Sequence, residues 1–264
     1  MSGPRELKTP AIVIRRARLK EADRIITFFT RELGRVSALA RGVRKPSSRL
    51  AGHLEPLNHT DLTLAMGKAL PTIIGSQTLN PHLCLRSSLE RTSYALYFAE
   101  LVARFTPEEE ANRRVFDLLA EALDAACDAD NLELLARYFE VNLLAALGYQ
   151  PRLGACLDCG KALKTETNYF ANSLGGVLCP QCASRAPVAP VSVNALKVLR
   201  FLDDHSLEQS ARLILDDGLN REIRQLLGAY LRFLLEKDIR SGSWLHHLEI
   251  MRPPGTVNPT DGNC

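Results

Sequence analysis

The chain has 264 residues, 46% of them hydrophobic and 24% charged, with 33 Lys and Arg against 30 Asp and Glu for a formal net charge of +3. These proportions are those of a globular protein and exclude a disordered polyelectrolyte or a collagen-like repeat. There is no run of about 18 apolar residues to span a bilayer, and residues 1–8 lack the apolar core of a secretory signal, so the sequence reads as cytosolic. The near-neutral total is a cancellation. Residues 1–85 hold 14 Lys and Arg against 6 Asp and Glu (net +8), and residues 86–264 hold 19 against 24 (net −5). A basic first third on an acidic remainder predicts two domains with different partners, a polyanion being the natural partner of the first.

Short β-type runs fill residues 10–80: Ile12-Val13-Ile14, Ile25-Ile26-Thr27-Phe28-Phe29-Thr30, Val36-Ser37-Ala38-Leu39-Ala40, Leu62-Thr63-Leu64-Ala65 and Pro71-Thr72-Ile73-Ile74-Gly75. Turn-like breaks at Lys20-Glu21-Ala22-Asp23, Glu32-Leu33-Gly34 and Met66-Gly67-Lys68 separate them. Five short strands at this spacing predict a small barrel, of the OB or SH3-like kind. Arg15, Arg16, Arg18, Lys20, Arg24, Arg31 and Arg35 lie along these runs. A denser cluster, Arg41, Arg44, Lys45 and Arg49, shares a loop with Gly42 and Pro46 and with no acidic residue. Guanidinium forks match phosphate oxygens, and each neutralised phosphate releases counterions. A merely solvated basic face is the rival; its confinement to one β domain favours nucleic-acid binding. Phe28 and Phe29 are adjacent in a strand and so face opposite sides. One belongs to the core, while the other is either covered by packing or a platform for a base.

From Ser87 onward the apolar period becomes helical. Leu89, Tyr94, Tyr97, Phe98, Leu101, Val102 and Phe105 mark a first helix, and Thr106-Pro107-Glu108-Glu109 reads as the cap of a second through Val115, Leu118, Leu119 and Leu123. Asp130 reads as the cap of a third, which runs from Leu132 to a stop at Gly148; Ser192 caps a fourth, and residues 219–237 form a fifth. Residues 252–264 are rich in Pro, Gly and Asn and read as a frayed tail.

Between the third and fourth helices stand Cys156-x2-Cys159 and Cys179-x2-Cys182, with 19 residues between the pairs. This is zinc-site spacing. Two tight turns aim four thiolates at one ion, and a closed tetrahedral shell makes the expected Zn²⁺ structural rather than catalytic. Asn168-Tyr169-Phe170 and Gly175-Gly176-Val177 would form the hairpin of a small zinc ribbon. A disulfide framework is disfavoured in a cytosolic chain, and thiol-redox chemistry at either pair is the other rival. Cys84 and Cys127 read as buried apolar packing, and Cys264 as incidental. No phosphate-binding Gly-x4-Gly-Lys loop, His-Glu-x-x-His or Gly-x-Ser-x-Gly occurs. His246-His247, Asp203-Asp204-His205 and Asp216-Asp217 read as helix-end groups. No nucleophile is set beside a base, so the chain reads as a binding protein and not an enzyme.

In combination these parts resemble the bacterial RecO recombination mediators. The likeness runs through Ile12-Val13-Ile14-Arg15-Arg16, Asp23-Arg24-Ile25-Ile26-Thr27-Phe28-Phe29-Thr30 and residues 34–42, then Tyr94-Ala95-Leu96-Tyr97-Phe98-Ala99-Glu100-Leu101, and Leu147-Gly148-Tyr149-Gln150-Pro151 leading into the cysteines. The resemblance implies an α+β, multidomain chain. An N-terminal five-stranded OB-fold barrel (residues 1–82) precedes a helical domain (83–251) that carries the zinc-ribbon-like insertion at 152–186, with one structural Zn²⁺. It also implies binding of single- and double-stranded DNA, annealing of complementary strands, and loading of RecA onto DNA coated by single-stranded-DNA-binding protein, together with RecR, at the nucleoid. Arg35 and Arg41 become the leading DNA contacts, and charge density adds Arg15, Arg16, Arg44, Lys45 and Arg49. Arg113, Arg114 and Arg137 are the cations near a docking groove for the acidic tail of the single-strand-binding protein. A zinc-ribbon adaptor that binds RNA in transcription or translation is the competing reading.

Overall fold

The computed structural model describes residues 5–67, 70–185 and 187–235. Five strands come first: β1 (Arg5–Arg18), β2 (Arg24–Thr30), β3 (Gly34–Ala40), β4 (His59–Met66) and β5 (Thr72–Asn80). They close into a barrel in the order β1-β2-β3-β5-β4, with β4 returning to β1 and a single parallel junction between β3 and β5. That closed five-stranded order is the OB arrangement rather than the SH3-like one. β1 is long enough to pair with β4 through its first half and with β2 through its second, and its register slips between Val13 and Arg15. A bulge there bends the strand around the barrel, as closure requires.

Strict alternation along β3 and β4 sends Val36, Ala38, Ala40, Leu62 and Leu64 inward with Phe28, Ala11 and Val13. The opposite face of β1 and β2 is apolar too. Ile12, Ile14 and Phe29 belong to the core of the helical body, where the Phe29 ring lies 6.5 Å from that of Phe116. Both phenylalanines are fully buried. The covered alternative therefore holds for Phe29, and the base-stacking one does not.

The body consists of α1 (Leu83–Arg86), α2 (Leu89–Phe105), α3 (Arg113–Asp128), α4 (Leu132–Ala146), α5 (Val193–Asp204), α6 (Leu207–Ser210) and α7 (Asp217–Leu235). Side-chain caps from Ser88, Asn112, Asn131 and Ser192 open α2, α3, α4 and α5. Two expected caps move. Thr106 ends α2 instead, its hydroxyl donating to the Val102 carbonyl at 2.6 Å, and the cap of α4 is Asn131 rather than Asp130. The segment between α2 and α3 runs back across the barrel: the Glu109 N–H donates to the Arg35 carbonyl, and Glu108 bridges to Arg35. This crossing explains Gly34, which has φ +67° and whose Cβ, if present, would lie 1.8 Å from the Glu110 carbonyl oxygen.

Arg137 is not a surface cation. It is 4% exposed inside the body, with Nη2 3.0 Å from Glu140 Oε1, which also accepts the Tyr97 hydroxyl at 2.6 Å. Burial raises the Glu140 carboxyl pKa, against the pull of Arg137 and of the Tyr97 hydrogen bond. Arg113 and Arg114 are exposed in the first turn of α3. Cys84 and Cys127 depart from the packing reading as well: they are joined as a disulfide between α1 and the end of α3, with Cα atoms 5.3 Å apart. A separation of 43 residues hid a proximity that only the tertiary fold creates.

The cysteine insertion contributes β6 (Asn168–Ala171), β7 (Gly176–Leu178) and β8 (Ala189–Val191), in the order β7-β6-β8. The expected hairpin is β6–β7, and β8 is an addition. Phe170 anchors the insertion on the body, edge-on to Tyr230 at 5.3 Å.

Candidate nucleic-acid interface and metal centre

β2 starts opposite the end of β1 and the end of β3, so Arg18 faces Arg24 across one ladder and Arg24 faces Ala40 across the next. One end of the barrel thereby collects Arg16, Arg18, Arg24 and the loop that begins at Arg41. The loop is held in shape. Gly42 takes φ +61° and donates its N–H to Asp23 Oδ1 at 2.8 Å, and the Arg44 N–H donates to the Ala22 carbonyl at 3.1 Å.

The expected contacts fall into two groups. Arg15, Arg41, Lys45 and Arg49 are exposed and make no hydrogen bond or ion pair with a described side chain or backbone group through their charged ends. The others are engaged. Arg16 Nη1 is 2.6 Å from Glu55 Oε1, and Arg44 Nη1 donates to the Glu21 carbonyl at 2.7 Å. Arg35 is tied to the junction, its Nε donating to the Thr106 carbonyl at 3.1 Å and its Nη1 3.5 Å from Glu108 Oε1. Arg24, which charge density along the sequence does not single out, lines a cleft of about 330 Å³ with Arg16, Arg44, Lys45 and Glu55. The signal was present: Arg18 and Arg24 flank a hairpin turn symmetrically, and antiparallel pairing sets such residues side by side.

The four cysteines converge. Their sulfurs all lie within 4.8 Å of one another, the single such group of candidate ligands among the described residues. Cys159 Sγ and Cys179 Sγ are 3.9 Å apart, against about 3.8 Å for the edge of a tetrahedron built on Zn–S bonds of about 2.3 Å. All four are free thiols. Gly160, at φ +70°, closes the first knuckle by donating its N–H to the Cys156 carbonyl. Burial pushes the Cys156 thiol up, but backbone N–H groups of Cys159, Cys179 and Asp158 outweigh it and bring it down to about 6. A side-chain hydrogen bond with Asp158, then burial, push the Cys182 thiol up. Four converging thiols are a donor set that suits a soft divalent cation. Asp216 and Asp203 behave as helix-end groups: Asp216 accepts the Leu219 N–H, and Asp203 the Gln150 amide. His246 and His247 lie outside the described residues.

A closed five-stranded barrel of the OB type with a cationic end is thus fused to a helical body that carries a four-thiol knuckle. The chain matches the family models "Recombination protein O N terminal" over residues 1–82 and "Recombination protein O C terminal" over residues 86–243. It is 41% identical over 250 residues to a DNA repair protein RecO of Dehalococcoides mccartyi (strain BAV1), covering 95% of this chain and 99% of that one. It is 44% identical over 248 residues to the RecO of Roseiflexus sp. (strain RS-1), covering 94% and 87%. A third RecO, from Pelotomaculum thermopropionicum, is 39% identical over 240 residues, covering 90% and 93%. The chain belongs to the RecO family of DNA repair and recombination proteins. Among the described residues no helix is long and apolar enough to cross a membrane.

Proposed function

We propose that this protein is a non-hydrolytic recombination mediator of the cytoplasm. Its barrel domain (1–82) binds single- and double-stranded DNA, and its helical domain (83–251) engages proteins: RecR and the acidic tail of the single-strand-binding protein. The observation that carries the reading is the cationic end of the OB barrel, where Arg15, Arg41, Lys45 and Arg49 project from a fixed loop and strand end. Two complementary strands repel through their phosphates. A surface that neutralises phosphates without reading base edges lowers that repulsion and leaves the edges free to pair. Annealing then needs no nucleotide hydrolysis, and RecA loading follows from handing over strands freed of their coat. Arg16, Arg35 and Arg44 extend the surface, Arg35 from the junction with the body. One Zn²⁺ held by Cys156, Cys159, Cys179 and Cys182 supports the insertion structurally.

The test is strand annealing with and without single-stranded-DNA-binding protein, alongside a salt titration of DNA affinity. Arg41→Glu with Arg15→Glu should lower affinity and annealing at least about tenfold and flatten the salt dependence by about two neutralised phosphates. Unchanged annealing in that double variant, or tighter binding to structured RNA than to single-stranded DNA, would overturn the assignment.

A further inference from the structure

The cleft at the cationic end of the barrel has more order than a rim of solvated charge needs. Its floor is apolar, made by Ile26, Val43 and Leu54, and its walls carry Arg16, Arg24, Arg44 and Lys45 against one carboxylate, Glu55. Cations gathered around one cleft repel one another, and the repulsion is relieved when an anion sits among them. Arg24 carries the strongest mark of it. Its Nε is shut off from solvent and donates to no acceptor among the described residues, although a buried N–H normally finds a partner. Burial first, then the neighbouring Arg16 and Arg44, lower its pKa. Arg16, by contrast, has a partner on the cleft wall: Glu55 Oε1, 2.6 Å from Nη1.

We propose that this cleft seats one phosphate group of a nucleic-acid strand, with Arg24 as its central ligand and Glu55 as the carboxylate that the phosphate displaces from Arg16. The inference rests on the DNA-binding reading and goes further, for it gives the free protein a built-in competitor. Glu55 stands where an anion belongs, offers two oxygens to a guanidinium fork as a phosphate does, and must yield before Arg16 joins the site. Affinity is then set by an exchange of anions at Arg16 as well as by attraction to the rim. An internal phosphodiester and a terminal phosphate present the same chemistry to the cleft and differ in charge.

The experiment measures binding of the full chain to a labelled poly-dT strand, with a 5′-hydroxyl or a 5′-phosphate, across a salt series. Arg24→Gln should weaken binding about tenfold and reduce the salt slope by about one. Glu55→Gln should strengthen it about threefold, a gain that misfolding cannot produce. Glu6→Gln makes the same charge change elsewhere on the barrel and should leave affinity within about twofold. A 5′-phosphate advantage that vanishes in Arg24→Gln assigns the cleft to strand ends, and equal affinities for the two strands assign it to internal phosphates. If Arg24→Gln fails to fold, judged by its thermal melt, Glu55→Gln decides the matter. Wild-type binding by Arg24→Gln, or no gain in Glu55→Gln beyond that of Glu6→Gln, overturns the inference. In that event, weakened binding by Arg41→Glu leaves the DNA reading standing, and unaffected binding by Arg41→Glu removes both.

Discussion

The barrel and the cysteine insertion are both small β units resting on the same helical body, yet they are held by opposite means. The barrel closes on itself and fills its interior with Phe28, Ile26, Val13, Leu62, Leu64 and their neighbours, so every strand is paired on both sides and the core is dense with carbon. The insertion has three short strands and an interior of Cys156, Ala171, Leu178 and Cys182, two of which are themselves candidate ligands. So small an interior buries too little apolar surface to fix its own loops. The difference teaches where each unit can draw its order: the barrel from packing, the insertion from the ion that its four converging thiols could hold.

Metal removal should break that contrast most sharply. Structural zinc contributes about 10–16 kcal/mol of apparent binding free energy in finger peptides. Purified protein should therefore hold one zinc per chain, and Cys182→Ser or a strong chelator should abolish it. The insertion should become the first site of proteolysis while DNA affinity stays within about threefold. Zinc-free protein with an equally resistant insertion would show that packing holds both units. In the barrel the corresponding lesion is Phe28→Ala, which removes a fully buried ring and should lower stability by about 3–5 kcal/mol in urea titration without loss of zinc.

A finer division separates the junction from the rim. Arg35→Glu places a carboxylate beside Glu108 and removes the bond to the Thr106 carbonyl, so it should lower the melting temperature as well as DNA affinity. Arg41→Glu, on an exposed side chain, should lower affinity alone. Equal thermal shifts in the two would erase the distinction. The smallest effect concerns acid. Burial first, then the nearby His82, depress the pKa of His59, against an opposing pull from Asp124. A histidine whose folded pKa lies below its unfolded value binds fewer protons when folded. Its contribution to stability is present above the unfolded value near 6.5 and is lost as pH falls below it. His59→Gln should flatten that acid limb in thermal melts between pH 7 and pH 5.

Much of this architecture was legible because local patterns were uncontested. Alternation in β3 and β4 reports a half-buried strand whatever its neighbours do, and the two Cys-x2-Cys pairs carry their geometry in their spacing. Thr106-Pro107-Glu108-Glu109 imitates a helix start because it has the right residue types. The chain uses it to cross the barrel, and nothing local distinguishes the two uses. The partners of Phe29 and of Cys84 lie far along the chain, at Phe116 and Cys127, beyond any periodicity. Arg137 was a different matter, since Glu140 one helical turn on already offered the pairing that removes it from the surface. At the cationic end of the barrel the charges were countable, but which were engaged depended on Glu55, Glu21 and Thr106, which only the fold brings to them.

β1 alternates between two interiors, with Ala11 and Val13 in one and Ile12 and Ile14 in the other. Its outward face is therefore a floor laid for something else, and the same is true of Phe29 beside it. A barrel cut free at residue 82 would carry that floor bare and stick to whatever was near, including its own kind. Residues 11–14 of β1 thus serve two interiors at once, and a change in this short stretch is felt on both sides of the strand.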